Sequence, residues 1–137
     1  MFSEKEIDYL KSQKLARIAT VSADGEPDVA PVGFTFDGQH FLVGGIDLRR
    51  TLKYKNAIAT GRAALVVDDL SSTDPFEPRG VKIHGKARIT HVKGHTGDGE
   101  YIEITPERNW SWGIEAPSFD KGKPVMKKVR PEAGRGV

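Results

Sequence analysis

Hydrophobic positions recur with a period of two along most of this chain, which is the spacing that β-strands require. The first alternating segment covers residues 15–21 and leads into the turn Ser22-Ala23-Asp24-Gly25, a combination typical of a hairpin. Its predicted partner strand runs from about residue 27 to residue 35. The turn Asp37-Gly38 then leads into a third strand at residues 39–44, so these segments predict a three-stranded meander.

Four further strands are predicted in the second half of the chain, at residues 63–68, 81–90, 100–105 and 109–114. A polar, glycine-rich stretch at residues 93–99 reads as a loop, and Pro106 separates the last two strands. Short strands at this spacing, with few helices between them, predict a mainly β fold built as a small antiparallel barrel.

Only two short segments have the signals of helices. Ser3 and Glu6 are spaced as a capping box, which predicts a helix that begins directly after Ser3. The second helical segment is centred on Lys53. Gly61 follows it, where a glycine commonly ends a helix in the left-handed conformation.

The length of 137 residues fits a single domain with its own core. The sequence has no cysteine, which excludes thiol nucleophiles, disulfides and cysteine-ligated metals and fits a reducing compartment. The first ten residues lack the apolar core of a signal peptide, and no apolar run is long enough to cross a membrane. We therefore expect a cytoplasmic protein.

The last part of the chain differs in composition from the rest. Residues 115–137 contain six Lys/Arg and three Asp/Glu, whereas residues 1–114 contain fifteen and sixteen. Pro, Lys and Gly dominate from residue 116 onward without any period. We predict a domain at residues 1–115 and a basic tail at residues 116–137, either flexible or strapped on a partner subunit. A basic surface suited to nucleic acid is not expected.

A cluster of basic residues marks the start of the second predicted helix: Arg49, Arg50, Lys53 and Lys55. Unpaired backbone N–H groups and the helix dipole favour an anion at such a position, and cationic side chains strengthen this preference. Thr51 adds a hydroxyl donor, and the pair Gly44-Gly45 precedes the cluster. The pattern therefore indicates a phosphate site. The alternative is a solvated basic helix face, which is the commoner origin of such clusters.

No pattern of catalytic or metal-binding residues accompanies this site. The sequence has no nucleophile elbow, no His-Glu-x-x-His helix and no Walker loop. The histidines His40, His84, His91 and His95 do not share a ligand spacing. His91 and His95 are four residues apart but fall in the predicted loop, so solvated histidines are favoured over a metal site there.

An anion cradle without a nucleophile suits a redox cofactor, because such cofactors carry their own reactivity and need mainly position and electrostatics from the protein. The segment Pro31-Val32-Gly33-Phe34 offers a backbone edge and little bulk to a flat ring. The alternative for this segment is a plain edge strand or a β-bulge.

Four stretches together resemble the pyridoxamine 5′-phosphate oxidase-like flavin and deazaflavin split-barrel family, and most closely its F420-dependent branch. They are YLKSQKLARIATVSADGEPDVAPVGF at 9–34, GGIDLRRTLKYKN at 44–56, ALVVDDLSSTDPFEPRGVKIHGKA at 64–87 and ITPERNWSWGIE at 104–115. They occur in the family's order and cover nearly all of the chain up to residue 115.

The resemblance implies a six-stranded split β-barrel that forms a homodimer with two cofactor sites at the subunit interface. The cofactor-binding residues it implies are Pro31, Val32, Gly33, Gly45, Arg50, Thr51, Lys53, Asn56 and Trp112. By analogy, the backbone of residues 31–33 borders the ring, and Arg50, Thr51 and Lys53 hold the phosphate with Asn56 nearby. Trp112 approaches from the C-terminal strands, in one arrangement from the other subunit.

The function that this implies is an F420-dependent oxidoreductase that transfers hydride between the reduced deazaflavin and an electron-poor small molecule. The alternatives are an FMN-dependent enzyme of the same fold and a non-catalytic protein that binds F420, a flavin or haem. Oxidation of pyridoxamine phosphate is not expected. In those oxidases, a C-terminal strand with arginine and histidine recognises the substrate phosphate, whereas the corresponding segment here is Asn109-Trp110-Ser111-Trp112-Gly113. No residue is assigned as the catalytic proton donor.

Overall fold

Six antiparallel strands form a closed barrel in the computed structural model of the protein, which describes residues 1–94 and 97–130. The strands are β1 (Leu15–Val21), β2 (Pro27–Phe36), β3 (Phe41–Val43), β4 (Arg62–Ser72), β5 (Glu77–Gly94) and β6 (Gly97–Trp112). Their order is β3-β2-β1-β4-β5-β6, and β3 also pairs with β6, so the sheet closes on itself. The predicted mainly β, six-stranded split barrel is confirmed.

The barrel interior is filled by one set of alternating side chains from each strand. In β1, Ala16 and Ile18 are buried, whereas Leu15 and Arg17 are exposed. The same alternation brings inward a set of large apolar residues: Phe41, Leu65, Ile83, Ile102 and Ile104. Burying such side chains contributes about 1.5–3 kcal/mol each. The opposite side chains remain on the outside, where ligands and partners can reach them.

The first helix, α1 (Glu4–Ser12), packs on the barrel and begins at the predicted capping box. The backbone N–H of Ser3 donates to Glu6 Oε1 at 2.9 Å, and the backbone N–H of Glu6 donates to Ser3 Oγ at 3.1 Å. Glu6 is fully buried, and its carboxylate also accepts hydrogen bonds from the Ser111 hydroxyl and, at 3.5 Å, from Lys127 Nζ. Burial raises the pKa of Glu6, but these donors together lower it below its ordinary value.

A short 3₁₀ turn (Leu48–Arg50) precedes the second helix, α2 (Leu52–Thr60). Thr51 is the N-cap of α2: its hydroxyl accepts from the Tyr54 backbone N–H at 3.3 Å and donates to the Leu48 carbonyl at 2.6 Å. Gly61 ends the helix with a φ of 68°. The predicted left-handed glycine is therefore confirmed.

The two last predicted strands, at residues 100–105 and 109–114, are wrong as separate elements, because β6 runs through Pro106 without a break. The strand passes the proline through a β-bulge, where the register between β5 and β6 shifts after His84. The residue left without a ladder partner is Glu107, while Pro106 pairs with Gly85. Bulges are among the few places in a sheet where proline is found. Gly85 faces this point, and a Cβ there would overlap the Thr105 carbonyl oxygen.

Beyond the barrel, three short strands lie in the predicted tail: β7 (Phe119–Asp120), β8 (Lys123–Pro124) and β9 (Lys127–Val129). β7 and β8 pair with each other, and β9 pairs antiparallel with residues 109–111 of β6. Residues 131–137 lie outside the described part, as does His95. Whether the tail also contacts a partner subunit stays a prediction. Among the described residues, no helix is long and apolar enough to cross a membrane.

Candidate functional site

A groove of about 890 Å³ runs along the outer face of β2 and β3. One wall is the end of α1 and the link to β1, with Leu10, Lys11 and Lys14, and the opposite wall includes Tyr101 of β6. Gly33 is open to the groove, because a Cβ there would meet only the Lys14 carbonyl oxygen, at 3.9 Å. The groove therefore has a flat, backbone-rich floor and two lysines at one edge.

A second cavity of about 480 Å³ lies beside the 3₁₀ turn; we call it the anion pocket. Its charged lining residues are Asp47, Arg49, Arg50 and Glu100. Asp47 adopts the left-handed conformation, with φ 52°, where the chain turns from β3 into the 3₁₀ segment. This turn brings Arg49 and Arg50 to the pocket just before the N-terminus of α2, where backbone N–H groups favour an anion.

The groove and the anion pocket are continuous, because both are lined by Gly44, Gly45 and Tyr101. A Cβ at Gly44 would lie 3.0 Å from Cε1 of Tyr101, so the tyrosine ring is packed against bare backbone. Side chains at these two glycine positions would narrow the connection. The surface thus joins an open groove to an arginine-bearing pocket, an arrangement that fits a flat ring linked to a phosphate.

Arg49 is held by a carboxylate within the anion pocket. Its Nε donates to Glu100 Oε1, and its Nη2 donates to Glu100 Oε2 at 3.1 Å. The hydrogen bonding from Arg49 lowers the pKa of Glu100 and keeps that carboxyl ionised. Arg50, by contrast, forms no ion pair with any described residue. Arg50 is therefore the arginine available to a ligand.

The other residues expected at the phosphate lie at different depths. Thr51 lines neither cavity, and its hydroxyl is used to cap α2. Lys53 is half-buried in the first turn of α2. Asn56 is buried on the barrel side of α2, where its Nδ2 donates to Thr20 Oγ1 at 3.1 Å. In the single chain Asn56 thus ties α2 to β1, and its predicted contact with a cofactor stays a prediction.

The predicted ring-binding segment divides between the two sides of β2. Gly33 lines the groove and Pro31 is exposed on the same outer face, whereas the Val32 side chain points into the barrel core. Only the backbone of Val32 is left to border a ring, which is the role that the resemblance gives it. Gly45 lies where the groove meets the anion pocket.

Trp112 lies away from the groove, at the end of β6. Its ring covers Gly80 of β5, since a Cβ at Gly80 would be 2.6 Å from Cζ2 of Trp112. In one chain it therefore packs against the sheet. Its predicted place beside a cofactor requires a second subunit and stays a prediction.

Next to Trp112, a second group of basic and aromatic side chains forms what we call the strand cluster: Lys82, His84, Arg108 and Trp110. The Trp110 ring centroid lies 4.4 Å from Lys82 Nζ and 4.6 Å from the His84 ring centroid. Arg108 Nη2 is 3.2 Å from His84 Nδ1, and its guanidinium carbon is 5.4 Å from the Trp110 centroid. Desolvation and then the charge of Arg108 lower the pKa of His84. His84 is therefore engaged by Arg108 and Trp110 within the chain.

The sequence did not indicate Lys11, Lys14, Glu100 or Tyr101 as site residues. Tyr101 and Glu100 reach the site because β6 closes the barrel against β3, a pairing between residues about sixty positions apart. Lys11 and Lys14 reach it because α1 packs beside β2. The alternation in β6 is only a weak signal for these site residues. It places Tyr101 on the outer face of its strand but does not show which strand lies beside it.

The sequence model of the family described as pyridoxamine 5′-phosphate oxidase matches residues 2–112. The chain belongs to this family. The resemblance drawn from the four sequence stretches is thereby confirmed, and with it the family's barrel.

Members and fold neighbours of the family include proteins with several described roles. The chain is 41% identical over 121 residues to the 5a,11a-dehydrotetracycline/5a,11a-dehydrooxytetracycline reductase of Streptomyces rimosus. The aligned region covers 83% of this chain and 84% of that protein. A structure described as an F420 reductase has a TM-score of 0.61 at 19% identity and covers 79% of this chain and 98% of its own. The FAD binding protein from Mycobacterium smegmatis has a TM-score of 0.60 at 20% identity and covers 80% and 91%. These two likenesses show a shared fold.

Proposed function

We propose that the protein is an F420-dependent oxidoreductase that reduces an electron-poor small molecule, with FMN as the alternative cofactor. The observation that carries this proposal is the continuity of the groove with the anion pocket through Gly44, Gly45 and Tyr101. A flat conjugated ring matches the open floor at Gly33, and a phosphate matches Arg50 beside the start of α2. The donor set therefore fits a phosphorylated flavin or deazaflavin.

The relative from Streptomyces rimosus supports the class of reaction, because its name describes a reductase that acts on a dehydrotetracycline. The substrate that we propose for this chain is a compound of the same chemical class, with a conjugated, electron-poor double bond. The names of the two fold neighbours, which describe F420 and FAD, support a ring cofactor of this type.

When bound in its reduced form, the deazaflavin would supply a hydride from its C5 position and be oxidised in the process. The chain's own residues bind and orient it: Arg50 holds negative charge, and the open backbone at Gly33 leaves room for the ring. Tyr101 and the end of α1 form the walls that exclude water. No described side chain is assigned as the proton donor.

We further propose that the protein is a homodimer formed through the outer face of the sheet. Across this face, cross-strand register aligns one row of side chains: Pro31, Arg17, Val66, Lys82 and Trp110. Neighbouring rows leave Val29 68% and Leu15 52% exposed. Leu15 is paired with Gly33 of the groove, so a partner on this face would also cover the cofactor. Light scattering at micromolar concentration should show a dimer; a monomer would refute this part.

Fluorescence titration of one preparation with F420 and with FMN tests the cofactor. We expect F420 to bind at least about tenfold more tightly, which corresponds to about 1.4 kcal/mol. Equal affinities or a preference for FMN would overturn the assignment to F420. Turnover of an enone, a quinone or a dehydrotetracycline with the reduced cofactor then separates an enzyme from a carrier, since a carrier would bind F420 and reduce none of them. A cytoplasmic location stays a prediction, which cell fractionation tests.

A further inference from the structure

The carboxylate of Glu100 occupies the anion pocket although the pocket is suited to a negatively charged group. Its side chain is 16% exposed and is held by two N–H groups of Arg49. The Tyr54 hydroxyl lies 3.4 Å from Glu100 Oε2, and His91 Nε2 lies 3.6 Å from the same oxygen. Glu100 is therefore a fixed negative charge and not a mobile surface side chain.

The charges that line the pocket are balanced. Arg49 and Arg50 contribute two positive charges, and Asp47 and Glu100 contribute two negative charges. The remaining positive potential comes from the N-terminus of α2, which follows the pocket directly in the chain. Because the lining charges cancel, the pocket attracts an anion only weakly. A second negative charge on the ligand would be repelled at short range by the lining carboxylates.

We propose that Glu100 is a specificity-determining residue that favours a singly charged phosphodiester over a doubly charged phosphomonoester. The inference rests on the proposed function, because it takes the anion pocket as the phosphate site of the cofactor. The second charge of a monoester would face the Glu100 carboxylate, while Arg49 already gives Glu100 two of its N–H donors. F420 carries a phosphodiester and FMN a phosphomonoester, so Glu100 selects between them.

The test uses three ligands that share the flavin ring and the ribityl chain and differ at the end of that chain. Riboflavin has no phosphate, FMN has a phosphomonoester, and the methyl phosphodiester of FMN has a singly charged phosphate. The wild-type protein should bind the methyl diester more tightly than FMN in a fluorescence titration at neutral pH and low salt. In Glu100→Gln, which keeps the shape and removes the charge, FMN should bind about tenfold more tightly than it does to the wild type. Affinity for riboflavin should not change.

Glu103→Gln is the matched control variant. Glu103 lies on the same strand, is 15% exposed and binds Arg88 Nε at 2.7 Å, but it does not line the anion pocket. It should leave the ratio of the two phosphate esters unchanged. An equal change in both variants would mean that any charge lost from β6 acts at a distance, and it would overturn the proposal.

A second result would overturn it differently. If Glu100→Gln weakens FMN and its methyl diester by the same factor, Glu100 serves only to orient Arg49. The wild-type measurement needs no variant, so it decides the point even if Glu100→Gln does not fold: equal affinity for FMN and the diester contradicts selection. Failure of the wild type to bind any of the flavins or F420 would instead overturn the proposed function, and this inference with it.

Discussion

The anion pocket and the strand cluster each hold two cationic side chains on the outer surface of the barrel, but they differ in what these cations contact. In the strand cluster, Lys82 and Arg108 lie over Trp110, and Arg108 also contacts His84. In the anion pocket, Arg50 has no ion-pair partner among the residues that the structure describes. The two regions have the same number of cationic side chains, so that number does not distinguish them. Counting their partners indicates that the anion pocket is open to a ligand, while the strand cluster is satisfied within the chain.

The largest expected effect on F420 binding is that of removing Arg50, because the difference between the two regions rests on this side chain. Arg50→Ala takes away the pocket guanidinium that has no ion-pair partner among the described residues. The free energy of F420 binding should therefore become about 1.5–3 kcal/mol less favourable, the range for a hydrogen bond to a charged group. Fluorescence titration measures the loss, and circular dichroism checks the fold.

Lys55→Ala is the control for that experiment, because Lys55 is exposed on α2 and lines neither cavity. It should bind F420 as the wild type does. If Arg50→Ala also bound F420 like the wild type, the basic cluster would be a solvated helix face.

Trp112→Ala tests whether the end of β6, next to the strand cluster, contributes to the cofactor site of a partner subunit. We expect about a fivefold loss of F420 affinity, roughly 1 kcal/mol, together with a weaker dimer, because large aromatic side chains dominate interface energies. Titration and concentration-dependent light scattering measure the two effects.

The matched control for Trp112 is Phe76→Ala, since Phe76 is an exposed aromatic residue in the turn between β4 and β5 and its ring lies beside that of Phe119, not over Gly80. Unaltered binding and an unaltered dimer in Trp112→Ala would leave Trp112 as packing over Gly80.

The smallest expected effect is a pH dependence that belongs to the strand cluster. Burial, and then the charges of Arg108 and Lys82, lower the pKa of His84 in the folded protein. The unfolded chain therefore takes up this proton first as the pH falls below about 6.5, and the folded state loses stability there. The free energy of unfolding of the wild type should decrease from about pH 7 to pH 5. His84→Gln should decrease less; identical slopes would contradict the assignment.

Features encoded by neighbouring residues could be predicted from the sequence. The capping box of Ser3 and Glu6 and the helix end at Gly61 each depend on contacts within a few positions of the chain. The alternation in β1 likewise identified the strand. Strand spacing predicted a small barrel and the residues themselves located the basic cluster, while the family resemblance added the six-stranded split-barrel type.

Features that depend on barrel closure could not be predicted in this way. Pro106 reads as a strand end, yet a bulge opposite Gly85 carries the strand past it. Glu100 enters the anion pocket only because β6 lies beside β3. For Val32, alternation gives two possible faces, and the pairing of β2 with β1 decides which one is buried.

The buried carboxylate of Glu6 connects the tail to the groove through helix α1. Near its first turn, α1 is fastened to β6 and β9 through Ser111 and Lys127, and its last turn forms the groove wall at Leu10 and Lys11. A helix of nine residues is about 14 Å long and transmits tilt with little bending. A displacement of β9 would therefore change the width of the groove through α1.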